Sequence, residues 1–334
     1  MIDESIFREY DIRGIVPSQV NEASIKLISH AIARKCIDEN IDELVLGRDG
    51  RLSGEKILNI LCKELQSIGI NIVNIGIVTS PLLYYAAKQL PTKSGIMITG
   101  SHNPKDYNGF KIIINDSPIS GLEILSLLSD KPVSKTNTGK ELFKKNLMDE
   151  YIREVLSQST DKSEKIKVVL DCGNGSAGEI APKLFRSLGY EVIELFCEID
   201  GNFPNHHPDP SKEKNLEELK MMVEEHGADL GFAFDGDGDR VGMITDDGAS
   251  VLADHLIMLL TKNYLKKRAG PIIFDVKCSS QLPTLINQLG GEAIMAKTGH
   301  FNIKKAIKEH NAVLGGEMSG HIFINHEWYG FDDA

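Results

Sequence analysis

Three times along this chain a short apolar run is followed by an amphipathic segment of helix length, a glycine and a second apolar run. The first copy reads as a strand at 44–46, then a helix at 54–68 with Ile57, Leu58, Leu61, Leu65 and Ile68 on one face. Gly69 stops it, and a strand follows at 70–75. The second copy places a strand at 167–170, a helix at 179–188, Gly189, and a strand at 191–195. The third places a strand at 272–274, a helix at 280–289, Gly290-Gly291, and a strand at 292–295. A buried strand that alternates with an amphipathic helix predicts α/β layers around a mainly parallel sheet. The expected fold is therefore three consecutive α/β domains with mixed, mainly parallel sheets, at 1–148, 149–249 and 250–334. The copies share a rhythm but no strict sequence repeat.

Composition agrees with that number of cores. At roughly 100–200 residues per domain, 334 residues make two or three domains. The stretch 130–139, rich in Pro, Ser, Thr and Lys, together with a polar helix expected at 140–156 and a polar run at 157–165, marks the first boundary. The second falls near 248–253. A formal net charge of -11 argues against broad nucleic-acid binding and against an anionic membrane surface, since both need a basic face. Five scattered cysteines without a C-x-x-C pair fit thiols in a reducing compartment better than a disulfide framework or a zinc site. No signal-peptide core and no membrane-length apolar run is present, so a cytoplasmic location is expected.

The strongest chemical signal is Asp235-Gly236-Asp237-Gly238-Asp239-Arg240, between expected strands at 230–234 and 241–245. Three carboxylates at alternate positions on a tight loop can converge on one point, and hard oxygen donors suit Mg²⁺ or Mn²⁺. A calcium EF-hand loop would need Gly at the sixth position and Glu at the twelfth. Here those positions hold Arg240 and Asp246. A solvated acidic turn is the plain alternative, but it leaves three crowded charges without a neutralising cation.

A second signal, Thr99-Gly100-Ser101-His102-Asn103-Pro104, follows a strand expected at 95–98. It sits at a strand's carboxyl end, where open α/β sheets bind ligands. Ser101 there can be a nucleophile, a phosphoryl carrier, or simply a turn residue. His102 is placed to donate to a phosphate oxygen. Lys111, read as the start of a strand at 112–114, is either solvated or poised to neutralise a phosphoserine or take a proton. A third signal is Gly315-Gly316-Glu317-Met318-Ser319-Gly320-His321. In an extended loop, Glu317, Ser319 and His321 would point to one side and could read sugar hydroxyls. A polar hairpin turn is the plain reading. Basic residues gather near other turns: Arg8 and Arg13 beside Tyr10, Arg48 and Arg51, Lys277, and Lys297 with His300. Arginine forks suit phosphate, although each residue alone is an ordinary surface charge.

Seven segments in order, FREYDIRG, GRDGRLSG, TGSHNPKDYNGFK, DGDGDR, DVKCSS, KTGH and GGEMSGH, closely resemble the α-D-phosphohexomutase family, in its phosphomannomutase/phosphoglucomutase branch. The resemblance implies that Ser101 is a phosphoserine and that Asp235, Asp237 and Asp239, with an oxygen of that phosphoserine, hold Mg²⁺. It implies that Glu317, Ser319 and His321 grip sugar hydroxyls, and that Tyr10, Arg13, Lys111, Arg240, Lys277 and His300 line the cleft. Such an enzyme interconverts the 1- and 6-phosphates of mannose or glucose through a hexose 1,6-bisphosphate, with Lys111 or His321 as general base. The family has four domains, the last clamping the substrate's non-reacting phosphate. The resemblance here ends within the third, at Phe331-Asp332-Asp333-Ala334, so a missing phosphate clamp and weakened turnover are expected. A sugar phosphatase and an inactive fragment that binds Mg²⁺ and sugar phosphate are the rival readings. A second departure is Gly100, where the family commonly has alanine; it is expected to loosen the serine loop.

Overall fold

The structure is a computed structural model, and it describes residues 2–129, 133, 138–144, 146–159 and 165–332. The first unit runs β1 (Ile12–Ile15), α1 (Glu22–Asp38), β2 (Glu43–Arg48), α2 (Gly54–Ser67), β3 (Asn71–Ile77), α3 (Ser80–Gln89), β4 (Gly95–Ile98), β5 (Tyr107–Ile114), β6 (Ser117–Ile119), α4 (Gly121–Ser126) and β7 (Glu141–Phe143). Its sheet has the order β1-β5-β4-β2-β3-β7, with β6 on β5. Because side chains alternate across a strand, Leu44 and Leu46 face α1 and α2 while Val45 faces α3.

After α5 (Leu147–Gln158), the second unit runs β8 (Lys167–Asp171), α6 (Ala177–Ser187), β9 (Glu191–Leu195), α7 (Glu217–His226), β10 (Leu230–Phe234), β11 (Val241–Thr245) and β12 (Ser250–Val251). The third runs α8 (Ala253–Lys267), β13 (Pro271–Asp275), α9 (Gln281–Gln288), β14 (Glu292–Ala296), α10 (His300–His310), β15 (Leu314–Gly316) and β16 (Ile322–Ile324). Among the described residues seven strand pairings are parallel and six antiparallel. The sheets are thus mixed: each keeps a parallel βαβ centre and adds antiparallel strands at one edge, which hairpins reach without a crossover helix.

Two local expectations fail. The helix expected from residue 140 begins only at Leu147, and residues 141–143 form β7, parallel to β3 with Ile72 opposite Glu141. An open sheet edge recruited a segment whose polar composition reads as helix, a tertiary override of propensity. Lys111 does not start a strand. It lies in the middle of β5, only 4% exposed. The expected linker at 130–139 and the polar run at 157–165 fall largely outside the described residues.

The ends of the cores meet. Tyr85 of α3, Tyr151 of α5 and Trp328, Tyr329 and Phe331 from the end of the third unit stack on one another. The hydroxyls of Tyr85 and Tyr329 both donate to Glu154. This aromatic contact brings the third unit against the first, on the same side as the loops described next.

Candidate active site

β4 delivers the chain into the serine loop, and Ser101 there takes φ +48°. A non-glycine residue in the left-handed region costs about 1–2 kcal/mol, so its surroundings must enforce it. They do so through Arg51, whose side chain is wholly buried. Its five N–H donors are all used: to Asp49 Oδ2 and to the carbonyls of Ser101, Asn103, Pro104 and Tyr107, at 2.6–3.0 Å. Asp49 also accepts from Thr99 Oγ1 at 2.7 Å, and Thr99 Oγ1 accepts from the Ser101 amide at 2.7 Å. A Cβ at Gly100 would lie 2.5 Å from the Arg51 guanidinium carbon. Gly100 therefore makes room for the guanidinium that ties the loop down, rather than loosening it.

The Ser101 hydroxyl donates to Asp235 Oδ2 at 2.7 Å and lies 3.1 Å from His102 Nδ1. The first and second units thus meet at this serine. Burial, reinforced by the charges of Arg240 and Arg13, pushes His102 down to about 2, so it is neutral. The acidic loop lies between β10 and β11, and Asp235, Asp237 and Asp239 are fully buried. One carboxylate oxygen from each lies within 4.8 Å of the others. Lys111 Nζ reaches Asp237 Oδ2 at 2.7 Å and also bonds Asp239 Oδ2, and Ser80 Oγ donates to Asp237 Oδ2 at 2.6 Å. Asp237 Oδ1 and Asp239 Oδ1 have no partner. Buried carboxylates retain unpaired oxygens at high cost unless a cation takes them. The donor set is all oxygen and fits a hard divalent metal.

The third unit supplies the loop after β15. Gly320 takes φ +94° and the Glu317 amide donates to the His321 carbonyl at 3.0 Å, so this is a tight turn and not the extended loop expected. Glu317 and His321 flank the turn, and Ser319 stands near its tip with a buried, unpartnered Oγ. Glu317 accepts from the Gly299 amide, and burial pushes its carboxyl up to about 7. His321 Nε2 accepts from Arg240 Nε at 3.1 Å. Its proton is therefore on Nδ1, which lies 3.7 Å from Asp239 Oδ1 and 3.5 Å from Asp332 Oδ2. While that bond stands, Nδ1 is a donor, so Asp239, His321 and Asp332 do not form a second metal cradle.

His300 opens α10 beside this loop, its ring 5.6 Å from that of His321 and 6.4 Å from that of Tyr10. Arg13 is buried on β1, donating to Asn103 Oδ1 at 2.5 Å and to Asp11. Of the residues singled out from the sequence, Ser101, His102, Arg13, Lys111, Asp235, Asp237, Asp239, Arg240, Glu317, His321, Ser319, His300 and Tyr10 come from three units into one contiguous region. Lys277 is exposed and makes none of these contacts. Arg51, read as an ordinary surface charge, is the buried anchor of the serine loop. Asp49, Thr99, Ser80 and Asp332 were not singled out at all. The only sequence hint for the first was the spacing of Asp49 and Arg51 after a strand.

Sequence models of three phosphoglucomutase/phosphomannomutase domains match the chain: alpha/beta/alpha domain I at residues 4–124, domain II at 149–248 and domain III at 253–334. A phosphomannomutase/phosphoglucomutase of Pseudomonas putida is 49% identical over all of this chain and 72% of its own length. A phosphoglucomutase of Neisseria gonorrhoeae is 44% identical, again over the whole chain and 73% of its own length. The crystal structure of a phosphoglucomutase/phosphomannomutase family protein from Burkholderia thailandensis superposes with a TM-score of 0.94 at 40% identity. It covers all of this chain and 75% of that one. No helix among the described residues is long and apolar enough to cross a membrane.

Proposed function

Because the chain belongs to the phosphoglucomutase/phosphomannomutase family, we propose that Ser101 is the phosphoryl carrier with which it interconverts hexose 1-phosphate and hexose 6-phosphate. The substrates are mannose and glucose phosphates, the hexose 1,6-bisphosphate is the intermediate, and the enzyme works in the cytoplasm. The observation that carries this reading is the 2.7 Å bond from Ser101 Oγ to Asp235 Oδ2, which joins the serine loop to the acidic loop of another unit. A phosphoryl group on Ser101 would sit against three carboxylates, an arrangement that repels unless a cation stands between them. Asp235, Asp237 and Asp239 with a phosphoserine oxygen would hold Mg²⁺. When bound, that ion supplies positive charge to the transferring phosphoryl group.

The chain's own residues do the remaining work. Arg51 and the Asp49–Thr99 pair keep Ser101 facing the acidic loop, so orientation is prepaid. Lys111 is held between Asp237 and Asp239; burial alone would lower its affinity for a proton, but the two carboxylates raise it well above the ordinary value. It therefore acts as a fixed countercharge. Arg13 and Arg240 add positive charge on the side where phosphoryl oxygens would lie. Glu317, Ser319 and His321 supply acceptors and donors for sugar hydroxyls. A coupled assay of glucose 6-phosphate formation from glucose 1-phosphate, primed with the 1,6-bisphosphate and Mg²⁺, tests the reading. Turnover should be present in the wild type, stop on chelation, and be lost in Ser101→Ala with the fold intact. Undiminished turnover in Ser101→Ala would overturn the carrier role.

A further inference from the structure

We propose that Cys172 and Cys197 are a peroxide-sensitive thiol pair, which closes to a disulfide beside the acidic loop and weakens that loop's hold on a divalent metal. The effect on the metal rests on the mutase reading above; the pair itself does not.

Cys172 follows β8, and Cys197 lies two residues beyond β9. These strands are parallel neighbours, and such strands run about 4.8 Å apart, a gap that a disulfide spans. Backbone bonds continue past the strand ends. The Cys172 amide donates to the Leu195 carbonyl at 3.1 Å, and the Asn174 amide donates to the Phe196 carbonyl at 2.8 Å. α6 closes the other side, since a Cβ at Gly178 would overlap the Cys197 carbonyl oxygen. The two sulfurs are thus held together, with Cys197 Sγ 3.3 Å from Cys172 Sγ. Both are free thiols, and a disulfide would draw them about 1.3 Å closer.

The two thiols differ in access. Cys172 is fully buried. Cys197 is half-buried and lines a surface groove with Glu179, Lys183, Arg186 and Glu194. A peroxide therefore meets Cys197 first. The hydrogen bond with Cys197, and then burial, hold the Cys172 thiol well above its ordinary value. Cys172 thus keeps its proton until an acceptor forms next to it.

Atoms and electrons balance with hydrogen peroxide as the oxidant. The Cys197 thiolate attacks one peroxide oxygen, the O–O bond breaks, and hydroxide leaves to take up the thiol's proton as water. Cys197 is then a sulfenic acid. Cys172 Sγ attacks Cys197 Sγ, the S–O bond breaks, and the departing hydroxyl carries away the Cys172 proton as a second water. The two sulfurs lose two electrons and the peroxide gains them. A dithiol reverses the closure by exchange.

The chain that leaves Cys172 is the floor of the acidic loop. The Gly175 amide donates to the Cys172 carbonyl at 2.7 Å, and the Ser176 amide and hydroxyl donate to the Gly236 carbonyl at 3.0 and 3.3 Å. A Cβ at Gly175 would lie 2.9 Å from Gly236 Cα, and one at Gly238 would lie 3.4 Å from Ala177 Cβ. Close-packed backbones transmit strain. Drawing Cys172 toward Cys197 therefore shifts Gly236, which stands between Asp235 and Asp237.

The test uses the whole chain, reduced and then treated with hydrogen peroxide. Intact mass should fall by two hydrogens, non-reducing peptide mapping should join Cys172 to Cys197, and dithiothreitol should reverse both. Cys172→Ala should stop at a sulfenic acid on Cys197, trapped by dimedone; no adduct there overturns Cys197 as the first thiol attacked. Calorimetry should show Mg²⁺ bound roughly 10–100-fold more weakly by the disulfide form, as expected when the support of metal ligands is disturbed. Cys197→Ser, a change at a half-buried site, should bind Mg²⁺ like the reduced wild type both before and after peroxide. A disulfide that is absent from the wild type, or that maps to other cysteines, overturns the pair. Equal Mg²⁺ affinity in the reduced and disulfide forms overturns its coupling to the acidic loop. If the reduced wild type binds no Mg²⁺, the metal reading fails, while peptide mapping still stands for or against the pair.

Discussion

Around Ser101 the chain satisfies itself: the side-chain polar atoms of Asp49, Arg51, Thr99 and Ser101 all have partners, and Arg51 alone makes five bonds. Around His321 it does not. Ser319 Oγ, both nitrogens of His300 and His321 Nδ1 are buried without a hydrogen bond. Unmade bonds of this kind cost about 1–3 kcal/mol each, and native proteins carry few of them. The contrast teaches which end of the site is finished by the protein and which by its ligand. On the proposed reading the phosphoryl carrier Ser101 never leaves, so its scaffold is complete before substrate arrives. The sugar would turn over and depart, so the groups proposed to read it must stay available.

The sharpest way to break this contrast is at Arg51. Replacing it with Met strands the buried Asp49 carboxylate and removes the donors to four carbonyls. Loss of one partner of a buried pair costs about 3–5 kcal/mol, so urea unfolding should report a loss of that size. Arg51→Lys should rescue little, because an ammonium has three donors where the fork has five. A loss below about 1 kcal/mol would mean that the serine loop is not held as described.

A smaller effect sharpens the other side. Burial raises the Glu317 carboxyl from its ordinary 4.5 to about 7. The folded state then binds this proton more tightly than the unfolded state does. Its contribution to stability is greatest below about pH 4.5, falls as the pH rises towards 7, and is flat above that. Glu317→Gln mimics the protonated form. It should match the wild type near pH 4.5 and exceed it by roughly 3 kcal/mol at most above pH 7, less whatever solvent access relieves. Thermal melts across that range measure the difference. A gap that does not vary with pH would show that Glu317 is not strained by its burial.

Much of this was open to a reading of the sequence, for identifiable reasons. β10 and β11 coincide with the expected apolar runs, because each is bounded by charged turn residues, Asp229 and Asp235 for the one and Arg240 and Asp246 for the other. Ser101 and the three aspartates stood out because a tight glycine-rich loop after a strand is a local signal. Long-range effects were hidden. Lys111 resembles a surface lysine until β5 pairs with β4 and carries it under the acidic loop, 126 residues away from Asp237. Arg51 resembles a loop charge until the serine loop folds over it. β7 was concealed because pairing with an open edge, not its own composition, made it a strand. Asp332 carries no motif of its own, and only tertiary packing sets it against two histidines.

The central claim is that a phosphoryl group rests on Ser101 in passage between two sugar positions. Intact-mass measurement of the dephosphorylated chain, incubated with glucose 1,6-bisphosphate and Mg²⁺, tests it most directly. The account predicts a gain of one HPO₃ unit, mapped to Ser101 and removed again by excess glucose 1-phosphate or glucose 6-phosphate with formation of the bisphosphate. No added mass, or an added phosphoryl group that maps elsewhere and persists in Ser101→Ala, would contradict it.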